Sequence, residues 1–288
     1  MTPRFSITIP AYNAQATLQE TVASVRAQTF DDWQLVIVDD GSTDGTLTLA
    51  ESLALSDARI HVVTQANRGS GGAYNTAVRS ADSDLLVMLS ADDLLLPGHL
   101  AAFNAAITLH PEADIFTCNG FYEYEDGTRD IADPQALWAD PSGCTIEELL
   151  QACFYGVGAV YRRSVFDAVG GFREDTYAED YLFWLLAMAH GSRHHHLVEP
   201  LSVHRRNAVQ KSANAIAMRE NDTVILREVL RAGLLDASGI AAAEHALAHL
   251  ERGIRVRRAV HRVLGPDRAE RIIAAVRRAR LSGRRDSR

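Results

Sequence analysis

Two apolar runs each end in paired aspartates. Leu35-Val36-Ile37-Val38 leads into Asp39-Asp40, and Leu85-Leu86-Val87-Met88-Leu89-Ser90-Ala91 leads into Asp92-Asp93. A short run of aliphatic and β-branched residues is the pattern of a strand buried on both faces. Carboxylates at its C-terminal end stand where open α/β sheets bind ligands, in the crevice beyond the strand ends. Two such ends side by side create surplus negative charge, which is unfavourable unless a cation or the hydrogen-bond donors of a ligand compensate it. A divalent metal with a phosphate-bearing substrate meets that requirement, and leaves a separate carboxylate to hydrogen-bond the base or sugar of a nucleotide. Helix capping is the other use of acidic residues after a strand. It accounts for Ser42, Thr43 and Asp44, but not for four aspartates at two strand ends.

The elements that must position these groups follow from periodicity. Phe5–Ile9, Leu35–Val38, Ile60–Thr64 and Leu85–Leu89 read as strands. Between them, Thr17–Ala27 and the stretch through Leu47, Leu49, Leu53 and Leu55 have helical spacing. Asn67–Gly72 reads as a glycine-rich loop before a helix over Ala73–Ser80. This β-α-β-α alternation predicts a parallel sheet with helices on both sides. Beyond Pro97 the pattern predicts a helix over Gly98–His110, a strand over Ile115–Cys118 and a hairpin or flexible excursion over Glu123–Pro141. A strand over Gly156–Arg163, a short helix over Arg163–Val169 ended by Gly170-Gly171, and a helix over Glu179–His190 follow. From about Ala213 the pattern is helical, with breaks near Gly233, Gly239 and Gly265-Pro266. His194, His195 and His196 are adjacent, so on a strand they would point to alternate faces. A solvated turn, rather than a metal site, is the expectation there.

The chain of 288 residues, 47% hydrophobic, allows one large α/β domain or a domain with a helical appendage. No apolar run reaches the roughly 18 residues of a membrane span. The N-terminus passes directly into a strand rather than a secretory signal. Cys118, Cys144 and Cys153 are odd in number and unpatterned, which points to a reducing, cytoplasmic setting without a disulfide frame or zinc site. The net charge of −8 is uneven: the first two hundred residues are acidic, while arginine dominates from Arg252 to Arg288, and Lys211 is the only lysine.

Five segments in order carry a resemblance: Ile9-Pro10-Ala11-Tyr12-Asn13, Val38-Asp39-Asp40-Gly41-Ser42-Thr43-Asp44-Gly45-Thr46, Asn67-Arg68-Gly69, Ser90-Ala91-Asp92-Asp93 and Ala178-Glu179-Asp180. Together they resemble the family 2 glycosyltransferases of the GT-A fold over about the first 210 residues. The resemblance implies an α/β fold with a Rossmann-like, mixed, mostly parallel sheet flanked by helices, and a C-terminal helical extension. Residues 1–212 would form the glycosyltransferase domain, with a nucleotide-sugar half over about 1–97 and an acceptor half over about 98–212. Residues 213–288 would form the extension.

It also implies roles. Asp39 or Asp40 would accept hydrogen bonds from the nucleotide base, with Pro10, Ala11, Tyr12 and Asn13 as the wall of the base and ribose pocket. Asn67, Arg68, Gly69, Ser90 and Ala91 would complete the nucleotide site. Asp92 occupies the last position of the Asp-X-Asp motif and, with Asp93 and His204, would hold manganese or magnesium against the diphosphate. Asp180 would be the catalytic base of an inverting transfer, with Glu179 orienting it or the acceptor. Arg205 or Arg206 could meet the diphosphate.

Two positions depart from the pattern. Ser90 stands where the motif has its first aspartate, and Tyr74 stands where many relatives carry the arginine of an Ala-Arg-Asn sequence. The missing positive charge could be supplied by Arg68 or Arg79. A catalytically weakened homologue acting as a binding protein is the alternative that Ser90 raises. A nucleotidyltransferase is another, but Pro10-Ala11-Tyr12-Asn13 is not its basic glycine-rich loop. No Gly-X-Gly-X-X-Gly follows the first strand, which speaks against a redox dinucleotide enzyme. The membrane helices and Gln-X-X-Arg-Trp motif of processive relatives are absent, which favours one sugar per encounter onto a glycan, lipid-linked or other glycoconjugate acceptor. Ala269–Leu281 reads as a basic amphipathic helix for an anionic membrane surface, its own domain or a second subunit. Ile240, Ala243, Leu247, Leu250 and Ile254 recur at heptad-like spacing, for packing within the subunit or a dimer seam. Acidic strand ends argue against nucleic acid as a partner of the main domain.

Overall fold

In the computed structural model, residues 2–134, 138–151, 156–176, 178–206 and 215–265 are described. The first half runs β1 (Phe5–Ala11), α1 (Leu18–Arg26), β2 (Trp33–Asp39), α2 (Thr46–Ser56), β3 (Ile60–Thr64), α3 (Gly69–Arg79), β4 (Leu85–Met88) and β5 (Leu94–Leu95). Next come α4 (His99–Leu109), β6 (Ile115–Tyr124), β7 (Arg129–Ala132), α5 (Ile146–Leu149), β8 (Val160–Arg162), α6 (Arg163–Val169), α7 (Glu179–Ala189) and β9 (His194–Arg206). Two long helices follow, α8 (Ala215–Ala232) and α9 (Ala237–Leu264).

The strands form one sheet in the order β3-β2-β1-β4-β8-β6-β9-β5, with β7 paired to β6. β1, β2, β3, β4, β6 and β9 run in one direction, and β5, β7 and β8 oppose them. The sheet is therefore mixed and mostly parallel. The chain steps from β1 outward through β2 to β3, then returns over α3 to place β4 on the other side of β1. That reversal makes the C-terminal ends of β1 and β4 a topological switch point, where α/β sheets open a crevice.

Period-two alternation divides the apolar residues of β2 between two cores. Leu35 and Ile37 pack with Phe5, Ile7 and Ile9 under α1, α2 and α4. Val36 and Val38 face the opposite layer, with Tyr74, Phe172, Phe183 and Trp184. All but Tyr74 and Phe172 of these are 1% exposed or less, so each large aliphatic contributes about 1.5–3 kcal/mol by burial. The polar residues of β1 that face away from the first core are satisfied: Ser6 Oγ donates to Gln34 Oε1 (3.0 Å) and Thr8 Oγ1 to the Val87 carbonyl (3.0 Å).

Several expectations need correction. Gly69–Gly72 is not loop but the first turn of α3. Glycine disfavours a helix, but this one lies against a neighbouring backbone: a Cβ on Gly71 would sit 2.2 Å from the Arg173 carbonyl oxygen. The strand expected over Ile115–Cys118 continues to Tyr124 and turns into β7, so Glu123–Ala132 is a hairpin. The strand expected over Gly156–Arg163 shortens to β8 and runs antiparallel between β4 and β6. Gly239 does not break α9; its N–H is the donor to the Asp236 cap (2.8 Å).

The three histidines form no solvated turn. They open β9, and His194 and His196 share one face with Thr117 between them. Cys144 N–H donates to His194 Nδ1 (2.9 Å), which leaves the His194 proton on Nε2 to donate to Thr117 Oγ1 (2.7 Å). Thr117 then donates to His196 Nδ1 (2.7 Å), and His196 Nε2–H reaches Asn119 Oδ1 (3.0 Å). Burial holds both imidazoles below the usual range, His196 at about 4.

The heptad-like stripe of α9 is used inside the subunit. Ala243 and Ile254 are buried and Leu247 and Leu250 pack against the core, while Ile240 stays exposed. No described helix is long and apolar enough to cross a membrane. Cys118 and Cys144 are buried, and neither is in a disulfide among the described residues. Cys153, Lys211 and the segment Ala269–Leu281 lie outside the described residues.

Candidate active site

A cavity of about 840 Å³ opens at the switch point. The end of β1 supplies Pro10 and Ala11, and the following loop Tyr12 and Asn13. That loop is shaped by Asn13, which takes a left-handed conformation (φ 50°) and is fastened across to the turn after β2. Its N–H donates to Ser42 Oγ (3.0 Å), and its Oδ1 accepts the Thr43 N–H (2.8 Å). Asp40 enters the same cavity with Asn67 and Gly69. Its backbone N–H donates to the Ala11 carbonyl (2.8 Å), and its Oδ1 accepts Gln65 Nε2 (2.7 Å) and the Arg68 N–H (2.9 Å).

Asp39 is placed differently from Asp40. It is 2% exposed and does not line the cavity; its Oδ2 accepts the Ser42 N–H and Thr64 Oγ1 (3.4 Å each), and its buried Oδ1 has no hydrogen-bond partner. The second aspartate pair divides likewise. Asp92 lines the cavity beside Ser90 and Ala91. Asp93 turns under β9, 3% exposed, and accepts the Arg205 N–H (3.0 Å). Burial, then the neighbouring Asp92, pushes the Asp93 carboxyl well above the usual carboxylate range.

His204 is not on the cavity wall either. It lines a separate space of about 380 Å³ with Tyr122 and Arg206, and burial, then Arg206, lowers it to about 4 against the opposing pull of Asp92. A neutral imidazole results. Among the described residues no group of three or more His, Cys, Asp or Glu side chains is arranged to hold a metal ion. Asp92, Asp93 and His204 are thus near one another in the fold without forming a cage.

The cavity is also lined by α7 through its first residues, Glu179 and Asp180. The loop that delivers them is clamped by α3. Asn75 Nδ2 donates to the Phe172 carbonyl (2.8 Å), and the Phe172 N–H donates back to Asn75 Oδ1 (2.8 Å). Arg68 pairs with Glu174 (2.5 Å) on the same loop. Thr176 and Asn221 (3.4 Å) and Arg173 and Glu228 (3.5 Å) tie it to α8 from the other side. Asp222, also on α8, is raised to about 6 by burial, with Asp180 among the charges acting on it.

The charge of the cavity is one-sided. Its described lining holds Asp40, Asp92, Glu179 and Asp180 and contains no arginine, lysine or histidine. The arginines expected to help are engaged elsewhere: Arg68 on Glu174, Arg205 on Glu20 and Glu123, Arg206 over the Tyr122 ring (4.5 Å). Arg79, in the last turn of α3, does not line it.

Sequence reasoning missed three residues. Tyr74, which the sequence presents only as the place of an expected arginine, lines the cavity from α3, 3% exposed and stacked on Phe172 (5.2 Å). Asn75 had a signal, since it follows Tyr74 in the Ala-Tyr-Asn sequence. Asp222 had none.

A model of the glycosyl transferase family 2 matches residues 6–170. Over 182 residues the chain is 29% identical to Escherichia coli WfgD, a UDP-Glc:α-D-GlcNAc-diphosphoundecaprenol β-1,3-glucosyltransferase, covering 62% of this chain and 68% of that protein. Of two other curated relatives, both from Bacillus subtilis (strain 168), the chain spans 49% and 62% of the length. The fold is similar to that of S. aureus TarS 1–349 in complex with UDP-GlcNAc, with a TM-score of 0.69 at 22% identity over 86% of this chain and 71% of that one. It is also similar to the Pyrobaculum calidifontis mannosyltransferase PcManGT in complex with GDP-Man and Mn2+, with a TM-score of 0.64 at 20% identity over 98% of this chain and 81% of that one.

Proposed function

The chain belongs to glycosyl transferase family 2, and on that premise we propose that it moves a single sugar, with inversion, from a UDP-sugar to an acceptor hydroxyl in the assembly of a polysaccharide, glycolipid or other glycoconjugate. The observation that carries this reading is the cavity at the switch point, lined among the described residues by four named carboxylates and by no cationic side chain. Such a wall repels a bare diphosphate. It accepts one that arrives with a divalent cation, because the cation screens the carboxylates and the phosphate oxygens complete its coordination.

One donor on the cavity wall fits that cation. Asp92 offers a hard oxygen ligand on the cavity wall, and the neutral imidazole of His204 stands within the electrostatic reach of Asp92. Asp93, protonation-prone and turned under β9, is the least suited of the three. When bound, manganese or magnesium stabilises the charge of the departing nucleoside diphosphate. The UDP-Glc in the WfgD name and the UDP-GlcNAc of the TarS complex support a UDP-linked donor. The Mn2+ of the PcManGT complex supports a metal. The diphosphoundecaprenol acceptor named for WfgD supports a lipid-linked one.

The remaining roles fall to the protein. Asp40, held by Gln65 and the Arg68 N–H through one oxygen, presents its carboxylate to the base edge. Pro10, Ala11, Tyr12 and Asn13 form the wall against base and ribose. Asp180, which lines the same cavity as Asp92, takes the proton of the acceptor hydroxyl as that oxygen attacks the anomeric carbon. The new C–O bond forms as the bond to the phosphate oxygen breaks on the opposite face, so the nucleoside diphosphate leaves with the bonding electrons and the configuration inverts. Hydrolysis of UDP-, GDP- and dTDP-sugars with manganese or magnesium tests the reading. A metal-dependent release of UDP is expected, and release unaffected by chelation would remove the cation from it.

A further inference from the structure

Two parts of the cavity lining, the Asp40 carboxylate and the start of α7 with Glu179 and Asp180, are joined by the residues between them. Arg68, at the start of α3, holds both ends. Its N–H donates to Asp40 Oδ1 (2.9 Å), and its guanidinium grips Glu174 through Nε (3.1 Å) and Nη2 (2.5 Å). Glu174 stands on the loop that leads into α7. A second route runs through α3 itself. Gln65 donates to the same Asp40 oxygen (2.7 Å) and accepts from Thr76 Oγ1 (2.5 Å). The neighbouring Asn75 holds Phe172 by both backbone groups and reaches Glu174 Oε1 (3.3 Å). Glycine makes room for the pair: a Cβ on Gly72 would stand 2.5 Å from Arg68 Cβ and 3.5 Å from Glu174 Cδ.

We propose that Arg68 and Glu174 are positioning residues, which pass occupancy at Asp40 on to the loop that sets Asp180. This rests on the reading of the cavity as the donor site. The two routes differ in stiffness. The Asn75 clamp is buried and bonded twice, so it is closed with or without a ligand. The side chains of the Arg68–Glu174 pair are 46% and 36% exposed, and such a pair gains little over the entropy of holding two long side chains. It is therefore the part that a ligand can tip. Asp40 Oδ1 takes two hydrogen bonds, while Oδ2 takes none among the described residues. A nucleotide donor on Oδ2 fixes the carboxylate plane, and with it the Arg68 backbone on Oδ1. Less entropy is then lost in closing the ion pair, so the loop tightens once the nucleotide is seated. In this role Arg68 needs no contact with the diphosphate, and it is not among the described residues that line the cavity.

The test is hydrogen exchange of the full chain with and without UDP and manganese, alongside calorimetric titration of UDP and thermal melting. In the wild type, UDP is expected to slow exchange about fivefold over residues 172–176 and 178–182, and also over residues 11–14. Glu174→Gln and Arg68→Glu should each lose the first effect and keep the second. Their UDP affinity should fall by no more than about fivefold, the reciprocal of the same coupling. Their melting points should stay within about 3 °C of wild type, because the pair is exposed. The reversed pair, Arg68→Glu with Glu174→Arg, should recover the slowing, which neither a structural role nor a lost cation predicts. Full slowing in either single variant overturns the proposal, as does a folded reversed pair without it; if the reversed pair does not fold, the single variants decide. A larger loss of affinity in Arg68→Glu that the reversed pair does not regain also overturns it, since Arg68 would then meet the nucleotide itself. Wild-type slowing at residues 11–14 but not at 172–176 removes the coupling alone. A wild-type chain that UDP leaves unchanged at both segments removes the donor-site reading and the coupling with it.

Discussion

At the residue scale, chemistry is concentrated in carboxylates whose neighbours differ. Asp180 is the one placed to take a proton from an acceptor, so Asp180→Asn is expected to retain UDP binding and lose transfer by at least about a hundredfold. Near-normal turnover in that variant would exclude it as the base. Asp40→Ala should act earlier, weakening nucleotide binding in a titration before it changes the rate at saturation, because Asp40 anchors the cavity wall through Gln65 and the Arg68 N–H. The aspartate pairs were legible in the sequence because an apolar strand followed by acid has few meanings. Which member of each pair faces the cavity was not legible. Asp92 and Asp93 are adjacent, and the choice is made by Arg205, 112 residues away, whose N–H holds Asp93 under β9. Asp39 and Asp40 are separated by Gln65 and Arg68 in the same way. Ser90 and Tyr74 could each be read as a departure, but only the fold shows that they line one cavity.

At the element scale, the parallel half of the sheet was legible because its strands are rich in apolar, β-branched residues and its helices short and periodic. The antiparallel direction of β8 and the length of β6 and β9 were not, since pairing direction leaves no mark in the sequence and the polar residues of β6 and β9 carry no period-two apolar signal. His194 and His196 show the physical reason: they lie in the sheet because Thr117, Cys144 N–H and Asn119 satisfy their nitrogens. That chain works only with neutral imidazoles. The unfolded chain takes up protons on these histidines as pH falls below 6.5, whereas the folded one does so for His196 only near 4. Stability is therefore complete above pH 6.5 and declines as pH falls from there towards 4. Denaturant midpoints at several pH values would show it, and the share owed to the chain is the part missing in His196→Gln. His99, buried between the Leu201 and Gly158 carbonyls and lowered to about 4, adds to the same limb. Thr117→Val, which leaves one nitrogen of each ring without its partner, should cost about 1–3 kcal/mol. A second element-scale contact bears on catalysis. Gly71→Ala would push a methyl group against the Arg173 carbonyl, 2.2 Å from its ideal position, and displace the loop that carries Glu179 and Asp180. A transfer rate lower by up to about a hundredfold, with UDP affinity retained, is the expected result. Unchanged turnover would mean that the loop yields without moving the carboxylates.

At the scale of the whole molecule, the question is whether α8 and α9 are an appendage. A composition shift near residue 212 suggests a boundary, but the packing crosses it. Ile225, Leu226 and Val229 are fully buried in the same core as Tyr181, Leu182 and Trp184 of α7, and Ala243 and Ala246 of α9 close that core. The loop before α7 is tied to α8 through Asn221 and Glu228. Each large side chain uncovered costs about 1.5–3 kcal/mol, so exposing the partners of three of them consumes much of the roughly 5–15 kcal/mol by which a domain is stable. A chain ending at residue 212 is thus expected to be insoluble, or to melt without a cooperative transition. One ending after Gly265 keeps α8, α9 and every ion pair named above, and should melt like the full chain and bind UDP with manganese equally well. The arginine-rich stretch it lacks can then be assigned by difference. If the full chain sediments with phosphatidylglycerol vesicles and the shortened one does not, that stretch contacts an anionic surface. If the shortened chain instead has a lower mass in solution, it contacts a second subunit. A soluble, active chain ending at 212 would contradict the shared core, and would restore the extension to the independent unit that its composition suggests.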